Sequence, residues 1–234
     1  MASAADYIFG ITHNTTTKMK QFFYALAISA TIILTSSCES GKIKIACVGD
    51  SITEGYGLAC QSKNSYPVVL GQLLGSDYIV QNCGRSATTL QKQGDFPYWI
   101  CKEFSNTFAL EPDIIVIKLG TNDTKPHNWN AKRFTADYQA LIDTFLTIPS
   151  NPQIFVCTPA PVVAPQWGIN DSTIVSSIIP ILDSIARVNH LPIIDIHSGL
   201  ANQLYNITDS VHPNEAGVAT MAQIVATAIN KHKN

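Results

Sequence analysis

With 234 residues, 46% of them hydrophobic and only 14% charged, the chain has the apolar content to build one sizeable core, which excludes an intrinsically disordered protein. A formal net charge of -2 offers no basic field to a nucleic-acid backbone, so nucleic acid is not expected among its partners. No internal repeat or low-complexity tract interrupts the sequence, which leaves an ordinary globular domain as the starting point.

The N-terminal stretch stands apart from that domain. Lys18 and Lys20 precede an apolar run from Phe22 to Leu34, and Thr35-Ser36-Ser37-Cys38 follows it. A basic flank, a short apolar stretch and small residues are the parts of a secretory signal. The run also falls short of the ~20 residues that a membrane-spanning helix needs. The expected organisation is a leader over residues 1–38 and a globular domain over residues 39–234, exported to the periplasm or cell envelope. Cys38 behind small residues resembles a bacterial lipoprotein cleavage site, which implies membrane attachment through lipidated Cys38. Leu34 sits one place further from the cysteine than the usual pattern has it, and cleavage near Ser37 without lipid stays open. Met19-Lys20 is a more natural start for such a leader than Met1.

With Cys38 set aside, an odd number of the six cysteines remains, so a fully paired disulfide framework within one chain is ruled out. Cys47, Cys83 and Cys157 lie in or beside apolar strands and read as small core residues. Cys60 and Cys101 fall in loop-like surroundings, which leaves a bridge between them open in an oxidising compartment. Neither a Cys-x-x-Cys pair nor a His-Glu-x-x-His motif occurs, so neither metal nor cofactor is expected.

From Lys42 onward, apolar runs alternate with stretches of helical periodicity. The pattern predicts strands over Ile43–Val48, Tyr78–Gln81, Ile114–Leu119, Gln153–Cys157 and Leu191–Ile196. Helices are predicted over Pro67–Leu74, Arg133–Ile148, Ser172–Val188 and Pro213–Lys231. Strands that read as continuous apolar runs belong to a parallel sheet covered on both faces. The expected fold is therefore a three-layer α/β/α sandwich with a five-stranded parallel sheet. Ligands of such sheets lie beyond the carboxyl ends of the strands.

Four short blocks fall at or near those ends, in one fixed order. Ser51, in Gly49-Asp50-Ser51-Ile52-Thr53, is the candidate nucleophile, on a sharp strand-to-helix turn. Gly84, in Asn82-Cys83-Gly84-Arg85-Ser86, has no side chain to obstruct its N–H, a candidate oxyanion donor. Asn122, in Gly120-Thr121-Asn122-Asp123, adds an amide donor, and the Ser51 N–H makes a third; Asp123 is expected to brace its loop. In Asp209-Ser210-Val211-His212-Pro213-Asn214, His212 is the candidate base and Asp209 its orienting carboxylate, with Pro213 opening the last helix. His127 and His197 lack a comparable nearby carboxylate in sequence and stay outside this set. No Gly-x-Ser-x-Gly elbow occurs, which argues against an α/β-hydrolase arrangement of the same triad.

Together these blocks resemble the SGNH (GDSL-type) hydrolases: Ser51, Gly84, Asn122 and His212 match the four letters, and Asp209 the usual acid. The resemblance covers about residues 43 to 230 and implies a flavodoxin-like sheet and metal-free ester hydrolysis through an acyl-enzyme. Ser65-Tyr66-Pro67, Gly84 to Leu90 and Gly120 to Trp129 are similar to bacterial carbohydrate acetylesterases, particularly the sialate O-acetylesterase group. That implies a small-molecule or glycan ester as substrate, with Trp129 and Trp167 as residues that could stack on a sugar ring or pack in the rim. Lysophospholipase or acyl-thioesterase activity stays open, as does a non-catalytic sugar-binding lipoprotein on the same fold. A nucleotide binder is disfavoured, because no glycine-rich phosphate loop follows the first strand. Oligomeric state is not legible.

Overall fold

The computed structural model describes residues 41–232, and the leader, with Cys38, lies outside them. Its strands are β1 (Ile43–Gly49), β2 (Tyr78–Gly84), β3 (Ile114–Lys118), β4 (Gln153–Cys157) and β5 (Ile193–Ile194). They form one parallel sheet in the order β2-β1-β3-β4-β5, the flavodoxin-like arrangement. The principal helices are α1 (Ser51–Glu54), α2 (Tyr66–Leu74), α3 (Lys102–Leu110), α4 (Ala131–Phe145), α5 (Ile179–Val188), α6 (Ile196–Leu200) and α7 (Glu215–Lys231).

Strand alternation decides which helices cover which face. Ile45 and Cys47 of β1, with Ile114 and Val116 of β3, pack among Leu70 of α2 and Val218, Met221, Val225 and Ile229 of α7. Ala46 and Val48, with Ile115 and Ile117, point the other way, into Phe134, Tyr138, Leu141 and Phe145 of α4 and Leu182 and Ile185 of α5. The central strands are thus covered on both faces, as continuous apolar strands require.

The register aligns the ends that matter. Gly49, Gly84 and Lys118 close their strands side by side, with Gly49 paired to both of the others. The chain leaves β1 for β2 on one flank and then crosses to β3 on the other. The crevice between β1 and β3 is therefore the switch point where such sheets bind ligands.

Several local expectations need correction. Helix α3 was not legible, because its large apolar residues are few, Phe104, Phe108 and Leu110, the two rings lying 5.8 and 5.9 Å from Phe145. The fifth strand shrinks to Ile193–Ile194, since Asp195 caps α6 through Ser198 N–H. The predicted helix over Ser172–Val188 is interrupted by a π-turn at Ile174–Ile178, just before Pro180, which has no N–H to donate. Cys60 and Cys101 are both free thiols, and Cys101 is buried against the Pro97 carbonyl instead of bridged.

Candidate active site

The site begins with the packing of two glycines. A Cβ at Gly49 would collide with Thr53, and one at Gly84 with the backbone of Thr53 and Glu54, so only glycine lets β1 and β2 end directly against α1. Asp50 caps α1 by accepting Ile52 N–H at 3.0 Å, which fixes Ser51 as its first residue. Beneath the turn, Lys118 Nζ meets Asp50 Oδ1 and Oδ2 at 2.9 and 3.1 Å, and Thr121 Oγ1 at 3.4 Å. Both charged side chains are buried, with 1% and 0% exposure. The pair ties the Ser51 turn to the loop that carries Asn122.

Ser51 Oγ lies 2.8 Å from His212 Nε2, and His212 Nδ1 lies 2.7 Å from Asp209 Oδ2. The turn that carries Asp209 and His212 is held by one carboxylate oxygen. Asp209 Oδ1 accepts the N–H groups of Val211 and His212 at 3.0 and 2.6 Å, and Ser210, between Asp209 and Val211, takes up left-handed backbone at φ 75°. Burial works to raise the Asp209 pKa, but those N–H groups and the imidazole outweigh it and hold the carboxyl below its ordinary value. It stays ionised, so His212 carries its proton on Nδ1 and leaves Nε2 as an acceptor for the Ser51 hydroxyl. Pro213 does not open the helix: Asn214 caps α7 through Ala216 and Gly217 N–H, and Pro213 instead pairs with Ile207.

Asn122 is buried at the cleft floor, where its Nδ2 donates one hydrogen to Thr88 O at 3.1 Å and leaves the second for a ligand. Asp123 braces the loop by accepting Leu90 and Gln91 N–H, both at 2.9 Å. Full burial pushes its pKa up to about 6 against those two N–H bonds. Gly84 is not where the sequence placed it. Its N–H is already bonded to Asn82 Oδ1 at 2.9 Å, and it does not line the cleft. The residue that does is Ala87, in left-handed backbone at φ 65°, whose N–H takes no acceptor among the described residues.

The cleft, of about 210 Å³, is lined by Ser51, Tyr56, Ser86, Ala87, Asn122, Lys125, Trp167, Ile169 and His212. Tyr56 and Trp167 flank the imidazole with ring centroids at 4.7 and 5.8 Å, and each is about half exposed, 48% and 54%. Trp167 and Gly168, both at positive φ, form a two-residue turn between paired Gln166 and Ile169, which lifts the indole to the rim. Trp129 instead packs on Phe134 at 5.5 Å, half-buried against the core. Lys125 is paired with Asp95 at 3.1 Å.

Sequence reasoning missed Tyr56, Ala87 and Lys118. Only Lys118 left a signal, a lysine inside an otherwise apolar strand. It also missed carboxylate partners for two histidines: His127 meets Asp95 at 3.2 Å and His197 meets Asp171 at 3.1 Å, pairs made by residues distant in sequence.

Residues 47–219 match the GDSL-like lipase/acylhydrolase family, and the chain belongs to that family. An acetylxylan esterase of Xylanibacter ruminicola is 39% identical over 206 residues, which are 80% of this chain and 43% of that protein. The chain thus spans less than half the length of that relative. The structure of the native M. smegmatis aryl esterase matches with a TM-score of 0.70 at 20% identity, covering 81% of this chain and 99% of that one. A carbohydrate acetylesterase of Sinorhizobium meliloti matches with a TM-score of 0.68 at 18% identity, with the same coverage of 81% and 99%. At those identities the structures bear on the fold, which they share.

Proposed function

We propose that this chain is a serine ester hydrolase that removes O-acetyl groups from carbohydrate, with acetylated xylan as the leading substrate class. The observation that carries the reading is the Ser51–His212–Asp209 relay, at 2.8 and 2.7 Å, opening into a small aromatic-rimmed cleft. In the first step, His212 Nε2 takes the Ser51 hydroxyl proton as Oγ attacks the acetyl carbonyl carbon. The carbonyl π electrons move to oxygen, where the N–H groups of Ser51 and Ala87 and the free Asn122 amide hydrogen stabilise the oxyanion. Collapse of that intermediate breaks the bond to the sugar oxygen, which leaves with the proton from His212. Water, deprotonated by the same imidazole, then cleaves the acetyl-serine and releases acetate, and the proton returns to Ser51.

Three features support the acetyl–sugar assignment. The 39% identical relative is named for acetylxylan. The cleft is smaller than the ~300–1,000 Å³ of sites that engulf larger ligands, which suits a two-carbon acyl group better than a chain. Tyr56 and Trp167 offer faces for a pyranose, while Lys125, paired with Asp95, favours a neutral sugar over a sialic acid carboxylate. We also infer export of the domain, from the signal-like residues Lys18 to Cys38.

The test is turnover of acetylated xylan fragments, acetylated sialic acid and nitrophenyl esters from acetate to octanoate, with Ser51→Ala as control. Acetate release from xylan, a kcat/KM that falls with acyl length, and a folded but inactive Ser51→Ala protein are expected. A rate that climbs to octanoate would assign a lysophospholipase or thioesterase instead.

A further inference from the structure

We propose that Glu54 is a positioning residue for the oxyanion hole, acting through Ser86 on the Ala87 N–H. The proposal rests on the esterase reading above. Helix α1 carries Ser51 at its first position and Glu54 at its last, one turn apart. Glu54 Oε2 accepts the Ser86 N–H at 2.8 Å and also the Ser86 hydroxyl, so one oxygen grips two hydrogens of the same residue. The next residue, Ala87, holds φ 65°, a conformation that an alanine adopts only when its surroundings impose it.

What imposes it is visible on both sides. Upstream, Arg85 N–H bonds Gly49 O at 3.0 Å and Glu54 grips Ser86. Downstream, Thr88 Oγ1 bonds back to Arg85 O at 2.8 Å, and Thr88 O accepts Asn122 Nδ2. The left-handed turn between them sets Ala87 in the cleft wall with Ser51 and Asn122, its N–H without an acceptor among the described residues. Because the clamp and the nucleophile share one short helix, the distance between Ser51 Oγ and the Ala87 donor is set by α1 itself. A flexible clamp would misplace a donor whose value depends on aim, and so would lower kcat while leaving ground-state binding intact.

The experiment compares Glu54→Ala and Glu54→Gln in the full chain on nitrophenyl acetate, with rates expressed per active site titrated by a fluorophosphonate. Glu54→Ala should lower kcat by about 10- to 100-fold with KM within about twofold, because the donor drifts while the cleft remains. Glu54→Gln, whose single amide oxygen can accept both Ser86 hydrogens, should recover most of that loss. Replacing the Ala87 residue by lactic acid through nonsense suppression removes only the N–H. In that background Glu54→Ala should cost little more, since its target is gone. A Glu54→Ala enzyme with unchanged kcat per titrated site would overturn the proposal, as would a full additional loss in the lactic acid background. Wild-type protein that titrates and turns over no ester would overturn the esterase reading as well.

Discussion

Lys118 closes strand β3, whose other residues are all apolar, and its removal provides a direct measure of what the Asp50 charge costs. In Lys118→Met the strand keeps its volume and its sheet pairing, but the Asp50 carboxylate, at 0% exposure, loses both contacts to Nζ. Ile52 N–H remains as a bonded donor, too little to replace water for a buried anion. Breaking a buried pair from one side costs about 3–5 kcal/mol. For a domain of this size that corresponds to a fall in Tm of about 6–20 °C. Asn at position 50 can still cap α1, so Asp50→Asn combined with Lys118→Met removes both charges and keeps the cap. That double variant should be less destabilised than Lys118→Met alone. Urea unfolding at pH 7, with the m value checked for constancy, measures all three proteins. A Lys118→Met protein within about 1 kcal/mol of wild type would refute the reasoning, because it would mean that water reaches Asp50.

Three further outcomes follow from the geometry. Asp123 has a folded pKa of about 6 against an ordinary value of 3.8, so the folded state holds its proton longer than the unfolded chain. Its contribution favours folding below about pH 4 and is lost as pH rises to about 6, a change on the order of 3 kcal/mol; between pH 4 and pH 7 in urea unfolding, wild type should lose that much stability relative to Asp123→Asn, and a pH-independent difference would contradict it. Asn122→Ala should lower kcat by about 10²–10³-fold with little change in KM, and an effect confined to KM would place Asn122 in substrate binding instead. Trp167→Ala should raise KM for acetylated xylan fragments by several-fold while leaving nitrophenyl acetate turnover near wild type, since in the proposed reading the rim indole beside His212 meets the sugar and not the acyl group; equal losses on both substrates would argue against a sugar platform.

Much of this protein was written in local patterns. Continuous apolar runs at Ile43–Val48 and Ile114–Leu119 can be satisfied only by a sheet buried on both faces, and period-3.6 stripes such as Phe134, Tyr138, Leu141 and Phe145 supply its cover. The same logic put Ser51, Asn122 and His212 at one edge, because parallel strands separated by helices all end on the same side. The turn carrying Asp209 and His212 was legible for a different reason: its partners are three residues apart, so their meeting needs no knowledge of the rest of the chain. What the sequence alone could not decide depends on contacts between distant segments. The Gly84 N–H is free in the sequence and occupied in the fold, because Asn82 folds back onto it; Ala87 is unremarkable by composition, yet Glu54 and Thr88 bend it into a donor. Lys118 and Asp50, separated by 68 positions, become an ion pair only when β1 and β3 align in register. Side-chain type and spacing determined which groups could do chemistry; register and packing decided which of their hydrogen bonds were left free to do it.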